Sequence, residues 1–436
     1  MIIRTLFVIL LVTIHGVYAK TIKAIPKKST PTESSKITSI SSNPAAVNVP
    51  TGTGIIQRFI EKKLGIENNH GIMIQGAWIG DTNDLFSGGI TDAKRVTSNS
   101  VLLVDLNIDM EKFNGWRGGL FSAQFLQQNA QNTNAQAGLI QGYNSLPDVA
   151  PFNRSELYAL WYRQALFDDT LFVRIGKTIT TLDFNNVIKP VPLSAGEPNI
   201  PAVTSLIYTP IFISPAVDGV MPGYTNSAYG LTLNFTPVNQ WYLAYGIYDG
   251  NLASGRQTGL NGPTFNGSYF QVAETGGAWI LGKKPGTAGV GVWHQKGLIR
   301  QQNLSEMEVT GAYLFGSQRL WYRHPGYDIS GISAFYQLSI NNSSALPMNK
   351  SIGAGLTAFG LIANREADSL GFGFSLAWLN QHSTDQPTEL IYQIYYQAQI
   401  IPNIYLEPAL SYIPTPGQSS SLPPAFAGTI RAIILA

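Results

Sequence analysis

The sequence predicts an all-β fold, namely a transmembrane antiparallel β-barrel of about 16 strands with a short N-terminal helix. From residue 71 onward, runs of about ten residues alternate apolar and polar side chains and are separated by short turns. Only 12% of the residues are charged, about half the usual share in soluble proteins, although the hydrophobic content is an ordinary 44%. No run of 18 apolar residues follows residue 19, so helical membrane spans are not expected.

The first 70 residues divide into three parts by composition. Residues 1–19 have the pattern of a secretory signal peptide with cleavage near Ala19. The alternative, a membrane anchor, is disfavoured because the apolar run is too short to span a bilayer. Residues 20–54 are rich in Ser, Thr, Pro and Lys, which predicts a flexible periplasmic segment. Residues 55–70 are expected to contain a short amphipathic helix and a linker, and residues 71–436 the barrel.

The clearest alternation lies between residues 101 and 184. Asp105 and Asp109 occupy the polar face of the first strand in this stretch, and the opposite face consists of Leu, Val, Ile and Met. Residues 156–167 and 170–179 form a second strand pair across a two-residue turn. Such hairpins are the building units of a membrane barrel.

One long break interrupts the predicted strands. Residues 183–226 contain seven prolines, which exclude regular sheet. We expect this segment to fold into the lumen, because its apolar patches would otherwise face water. The alternative is an ordinary long extracellular loop.

The rest of the chain also reads as strands. Together with those described, the candidates number about fifteen to eighteen, as in a porin-sized barrel. They lie near residues 72–80, 228–236, 241–249, 269–274, 276–282, 287–295, 307–315, 331–341, 351–362, 370–381, 389–401, 404–413 and 426–435. Aromatic residues near strand ends predict girdles at the two membrane interfaces, with some members in the lumen instead: Trp78, Trp116, Trp241, Tyr248, Trp293, Trp321, Tyr322, Trp378 and Tyr412.

Composition and motifs disfavour catalysis, metal binding and nucleic-acid binding. The net charge is +2 and no basic stripe is present, which argues against nucleic acid as a partner. The chain has no cysteine, so thiolate metal sites are excluded. Its five histidines are scattered without an H-E-x-x-H pair, and no G-x-S-x-G elbow occurs. We therefore predict no enzyme, no metal and no cofactor.

Three phrases between residues 109 and 184 carry a family resemblance. DMEKFNGWRGG, ELYALWYRQALFDDTLFVRIGK and LDF, in this order, resemble the signature of the carbohydrate-selective porins of Gram-negative outer membranes, of the OprB type. The resemblance extends from about residue 71 to the end of the chain and is weaker after about residue 250. In that family, basic and acidic residues of the constriction contact sugar. The resemblance carries this role to Arg174 and Glu156, which stand in the matching phrases.

Strand alternation predicts which side chains line the pore. A sugar has hydroxyl groups and apolar C–H faces, so its path should offer charged, amide and aromatic side chains. Ala159, Trp161 and Arg163 are expected on the lipid face, Arg163 near an interface; a one-residue slip would reverse each face. The alternative role of the polar groups is to solvate the lumen and pair across strands. The predicted residues of the pore and its mouth are Arg174, Glu156, Gln164, Gln124, Tyr162, Asp105, Asp109, Arg117, Lys177 and Asp183.

These observations predict an outer-membrane porin for passive facilitated diffusion of monosaccharides such as glucose. One alternative is a general, weakly selective porin. The other is a secreted β-rich carbohydrate-binding protein, which the apolar strand faces disfavour. The expected partners are small sugars and outer-membrane lipid, without nucleic acid, and a homo-oligomer is compatible with the sequence.

Overall fold

A computed structural model of the chain describes residues 71–93, 95–147, 151–185, 214–223, 226–238, 240–250, 261–301, 304–325 and 330–435. Contacts divide the chain into units Met1–Ile40 and Ser41–Ala436, and every described residue belongs to the second unit. The predicted signal peptide, the Ser/Thr/Pro/Lys-rich segment and the N-terminal helix lie outside the described residues.

Sixteen antiparallel strands form a closed barrel in which each strand pairs with its sequence neighbours and the first pairs with the last. The predicted class and strand number are confirmed, and the candidates at 269–274 and 276–282 form one strand. The strands are β1 Ile72–Ser87, β2 Val96–Asp109, β3 Gly119–Asn129, β4 Asn153–Leu166, β5 Leu171–Thr178, β6 Ala228–Val238, β7 Trp241–Asp249, β8 Tyr269–Leu281, β9 Lys284–Gln301, β10 Leu304–Tyr322, β11 Gly331–Asn341, β12 Met348–Phe359, β13 Ser369–Leu379, β14 Thr388–Ile401, β15 Ile404–Thr415 and β16 Ala425–Leu435.

The two faces of the sheet differ in chemistry. Directly paired residues of antiparallel strands point to the same face, so the register assigns every strand residue to the lumen or the outside. On the outside, Ile175 of β5 and Ile430 of β16 are 60% and 59% exposed. On the inside, the neighbouring Arg431 is 5% exposed and pairs in register with Glu407 and Asp81. An apolar exterior around a polar interior is the arrangement that a lipid bilayer requires of a barrel.

The two ends of the barrel differ in the length of their connections. At one end, called here the short-turn end, most connections are tight, as at 167–170, 282–283 and 402–403. At the other, called the long-loop end, the connections include 130–152 and 179–227.

Two of these long connections fold into the lumen. The first inward segment, residues 130–147, contacts Asp81 on the inner face of β1. The second inward segment comprises residues 179–185 and 214–223, and it contacts Glu274 and Ser339 on the inner faces of β8 and β11. The inward folding predicted for the proline-rich break therefore holds for its described parts, whereas the first inward segment was not predicted.

Within the described ranges, helical structure is confined to short pieces. Helix α1, Met110–Asn114, connects β2 to β3, and helix α2, Thr133–Gln136, belongs to the first inward segment. Single 3-10 turns at Thr180–Leu182 and Pro215–Val217 belong to the second inward segment. Among the described residues, no helix combines the length and the apolar character needed to cross a membrane.

Outward aromatic side chains collect near the strand ends. Trp241 and Trp321 lie outward at the short-turn end, and Tyr412 lies outward at the long-loop end. Of the predicted girdle residues, Tyr248 and Trp293 instead point into the barrel, where both are buried. The outward residues fit the two interfacial girdles of a membrane barrel.

The outward face predicts a depth-dependent cost for charge. Leu410 and Ile340 are 44% and 49% exposed, but Ile340 pairs with Lys350 near the rim whereas Leu410 lies at the middle of β15. We expect Leu410→Arg to cost about 2–4 kcal/mol of unfolding free energy in lipid vesicles and Ile340→Arg about 0–1 kcal/mol. Urea titration followed by tryptophan fluorescence measures both values. Equal costs would contradict the assignment of this face to lipid.

Candidate pore lining and constriction

Strand β4 contains a bulge that changes which residues reach the lumen. Gln124 of β3 pairs with Ala159, and the next residue, Phe125, pairs with Leu157. Tyr158 is therefore an extra residue in β4, and an extra residue reverses the faces of all positions beyond it. Gln124 faces the lumen as predicted, but Ala159, which was predicted to face lipid, also faces the lumen.

Beyond the bulge, the predicted faces of β4 are wrong. Tyr162 and Gln164, predicted to line the pore, face outward, and the Tyr162 hydroxyl hydrogen-bonds to the Gln164 amide oxygen. That oxygen also accepts a hydrogen bond of 3.0 Å from the indole N–H of Trp116. Trp161 and Arg163, predicted to lie on the lipid face, point into the barrel. Residues on both sides of the bulge alternate between the two faces, as the sequence predicts. The extra residue exchanges the inward and outward faces beyond it, and the sequence-based prediction did not include this exchange.

Two arginines stand side by side on the inner wall. Arg163 of β4 pairs directly with Arg174 of β5. The Arg163 guanidinium lies 5.0 Å above the Phe172 ring, and that of Arg174 lies 5.2 Å from the Trp161 ring. Arg174 also forms an ion pair with Asp183 of the second inward segment. Like charges placed opposite each other repel, so the rings and Asp183 hold the pair in place.

Glu156 lies in a buried charge cluster rather than on an open pore surface. Its carboxylate is 3.4 Å from Arg154 Nη1 and 3.6 Å from Lys177 Nζ, and all three side chains are buried. Lys177 Nζ also donates to the Leu157 carbonyl at 2.7 Å, and Arg154 Nη1 donates to Asn226 Oδ1 at 3.3 Å. A carboxylate held by two cations in this way is paired within the wall, which is the alternative role considered for the predicted residues.

The remaining predicted residues divide between wall and rim. Asp105 faces the lumen and accepts a hydrogen bond from the Gln124 amide. Asp109 caps α1 by accepting from two backbone N–H groups at 3.0 and 3.3 Å. Arg117 forms an exposed ion pair of 3.5 Å with Asp168 at the short-turn end, where solvent leaves such a pair little stabilising effect.

A polar network that sequence reasoning missed anchors the first inward segment near its base. The Asp81 carboxylate accepts hydrogen bonds of 2.9 Å from Arg431 Nη2 and from Asn144 Nδ2. Asn83 and Asn99 join the network, with Asn99 Nδ2 donating to Asp81 at 3.0 Å and Asn144 Nδ2 donating to Asn83 at 2.8 Å. The only available signal was Arg431, a single charge within an apolar last strand.

The tip of the first inward segment lies against the far wall. The Gln141 amide oxygen accepts a hydrogen bond of 2.7 Å from Ser375 of β13. The backbone N–H groups of Ile140 and Gln141 each donate at 2.8 Å to the carboxylate of Glu389 on β14. Between base and tip, the Tyr143 carbonyl accepts from Gln393 of β14 at 3.1 Å. The segment therefore runs along the inner wall from β3 to β13.

Tyr143 is neutral in this position. Burial raises the pKa of its phenol, and the neighbouring Asp81 and Asp84 carboxylates raise that pKa further.

A second wall carboxylate holds the second inward segment. Glu274 of β8 accepts from the Asn185 backbone N–H at 2.7 Å, from the Tyr242 hydroxyl at 2.8 Å and from the Tyr313 hydroxyl at 2.7 Å. The described contacts of the two inward segments thus lie in opposite directions around the lumen, toward β14 and β13 for the first and toward β8 and β11 for the second. Each segment donates one or more backbone N–H groups to a buried glutamate. Together they narrow the barrel from within.

A comparison with models of known protein families identifies the family to which this barrel belongs. The model of the family described as "Carbohydrate-selective porin, OprB family" matches residues 96–434. The chain belongs to this family. The barrel is therefore that of an outer-membrane porin of a Gram-negative cell, and members of the family are channels rather than enzymes.

Two individual proteins of known name are also similar to this OprB-family porin. Porin B of Pseudomonas aeruginosa is 20% identical over 388 residues, which cover 78% of this chain and 82% of that protein. The high-pH structure of OprB from Pseudomonas putida has a TM-score of 0.73 at 16% identity, with 87% of this chain and 97% of that chain covered. Its low-pH structure has a TM-score of 0.58 at 14% identity. At these identities the structures show a shared fold.

The inner wall of the porin offers hydrogen-bonding groups. Within the described ranges, no group of three or more His, Cys, Asp or Glu side chains is placed to hold a metal ion. The inner wall instead presents guanidinium, carboxylate and amide groups at fixed positions. Such groups can exchange hydrogen bonds with a solute that passes them.

The buried Asp81–Arg431 pair predicts a large stability effect. Arg431→Met would leave the Asp81 carboxylate buried without its cation, and we expect a loss of about 3–5 kcal/mol of unfolding free energy. The matched control Arg117→Met breaks an exposed pair and should cost less than about 1 kcal/mol. Urea unfolding of both variants in the same vesicles tests this. A cost for Arg431→Met no larger than the control's would contradict the anchoring role of the network.

Proposed function

We propose that this porin mediates passive facilitated diffusion of monosaccharides such as glucose. Membership of the carbohydrate-selective family and a barrel narrowed by two inward segments support a sugar channel. The observation that favours a small sugar is the pair Arg163 and Arg174 on the inner wall, each beside an aromatic ring.

The chemistry of this arginine pair suits a sugar. Guanidinium N–H groups donate to hydroxyl oxygens, and aromatic rings accept the apolar C–H face of a pyranose. Among the contacts of the described residues, the Nε atoms of Arg163 and Arg174 are buried and have no hydrogen-bond acceptor. Because these two atoms are buried, a passing hydroxyl group would bond to the other N–H groups of the guanidinium of Arg163, whose side chain is partly exposed. Binding of this kind is weak enough for release, as transport requires.

The orientation of the chain follows from barrel construction. Outer-membrane barrels carry short turns on the periplasmic side and longer loops outside, so the long-loop end would face the medium. Export would require removal of residues 1–19, and intact mass measurement of the mature protein tests cleavage near Ala19.

A weakly selective channel is the second candidate function. Arg174 pairs with Asp183, Glu156 pairs with Arg154 and Lys177, and these pairs reduce the number of charges that are available to a solute. A lumen with such internal pairing would select mainly by size. Equal entry of sugars and other neutral solutes of the same size distinguishes this candidate from the first.

The arginine pair predicts a loss of sugar affinity on substitution. Replacing Arg163 with Gln removes a charged hydrogen-bond donor, so the concentration of glucose that half-blocks the ion current should rise about tenfold, equivalent to about 1.4 kcal/mol. Planar-bilayer recordings with increasing glucose measure this block. Arg174→Gln should act in the same direction, with an added structural effect because Asp183 loses its partner.

The control for this experiment is Arg117→Gln, which removes the same charge from the exposed rim. It should leave the glucose block unchanged. Liposome swelling should also show faster entry of glucose than of an amino acid of similar size. Equal entry, together with a block that Arg163→Gln does not alter, would refute the sugar-selective function and favour the weakly selective channel.

A further inference from the structure

The first inward segment is fastened at two separate places, its neck and its tip. At the neck, the Asn134 side chain closes a loop by accepting from the Tyr143 and Asn144 backbone N–H groups, both at 3.0 Å. Asn144 then bonds to Asp81 on β1. The tip, residues 138–141, lies farthest from the strand that the segment leaves and reaches β14.

At the tip, the carboxylate of Glu389 accepts hydrogen bonds from three backbone N–H groups. Glu389 is fully buried, and its oxygens accept from the N–H groups of Ile140, Gln141 and Gly417, each at 2.8 Å. The Gln141 amide returns a hydrogen bond of 2.9 Å to the Glu389 carbonyl. Among the ion pairs of the described residues, none involves Glu389. The buried carboxyl oxygens are thus satisfied by the loops themselves, because backbone N–H groups bond strongly to a carboxylate.

This geometry requires glutamate on one side and glycine on the other. Glutamine has one acceptor oxygen, and its amide N–H groups would point at backbone donors. A Cβ atom at position 417 would lie 2.3 Å from Glu389 Oε2 and 2.9 Å from Leu379 Cδ1, so a larger residue would displace the carboxylate or the loop. The 416–424 loop also touches the tip, since the Gln418 N–H donates to the Gly138 carbonyl at 3.0 Å.

We propose that Glu389 is a positioning residue that sets the size limit of the channel by holding the tip of the first inward segment in place along the inner wall of the lumen. The proposal rests on the channel function described above. Release of the carboxylate leaves the N–H groups of Ile140, Gln141 and Gly417 without an acceptor. The tip keeps its bonds to Ser375 and Gln418 but is held less tightly, while the neck stays fastened through Asn144 and Asp81. A loosened tip lets larger solutes pass.

The test uses two variants that disturb the contact between Glu389 and the tip from opposite sides, Glu389→Gln and Gly417→Ala. The matched control is Glu407→Gln, which removes another buried lumen carboxylate whose hydrogen bond of 2.9 Å comes from Gln397 of the neighbouring strand. All proteins are reconstituted at full length after heat-modifiable migration confirms a folded barrel. Ion conductance is recorded in planar bilayers, and liposome swelling is measured with glucose, sucrose and raffinose.

We expect both variants to raise single-channel conductance and to admit raffinose several-fold faster relative to glucose, whereas the control keeps the wild-type ratio. A purely structural role would lower the yield of folded barrel without changing this ratio. Wild-type conductance and solute ratios in a folded Gly417→Ala channel would overturn the proposal, even if Glu389→Gln failed to fold. Failure of the sugar function would appear differently, as wild-type channels that conduct ions but do not distinguish glucose from other neutral solutes.

Discussion

Closure of the sheet is the constraint on which the rest of this porin depends. The register from Ala77 with Leu435 to Leu85 with Ala427 joins the first strand to the last, so every strand has two neighbours. In lipid no water is available to bond to a free strand edge, and only a closed ring satisfies all backbone groups. Closure also separates the lumen from the lipid. Because of this separation, charged residues such as Arg431 and Asp81 can occupy the inner face of a transmembrane wall.

Within the lumen of the closed barrel, buried polar groups determine where the inward segments lie. The two inward segments are irregular chain, and their backbone N–H groups need acceptors that are not supplied by a sheet. The wall supplies them as carboxylates: Glu389 for residues 140 and 141, and Glu274 for residue 185. Each glutamate in turn depends on these donors to satisfy its buried oxygens. Wall and filling therefore stabilise each other, and neither can be altered alone.

Much of the fold was predictable from periodicity, and part of the site was not. Strand β7 was predicted with the bounds observed, because alternation and turn residues mark both of its ends. The lumen facing of Arg174 was predicted for the same reason. The facing of Tyr162 and Gln164 was missed, because a one-residue bulge at Tyr158 leaves no compositional trace yet shifts the phase of the strand.

The partners of the inward segments could not be predicted from sequence in principle. Glu389 lies about 250 positions from residues 140 and 141, and neither local pattern indicates the other. The short first inward segment also lacks the proline density that revealed the second. Sequence patterns report what neighbours along the chain do, whereas the constriction is made by contacts between distant segments.

The chain between residues 130 and 223 holds both inward segments. It therefore looks like a self-contained unit, a cassette, that could be transferred to another barrel together with its selectivity. Its fastening points show why it is not one. Asp183 pairs with Arg174 inside this stretch. Other wall contacts lie outside it, on β1, β8, β11, β13, β14 and β16. A graft of these residues into a foreign barrel would arrive without acceptors for its N–H groups. Exchange of specificity between such porins, in the laboratory or in evolution, must therefore move loop and wall together.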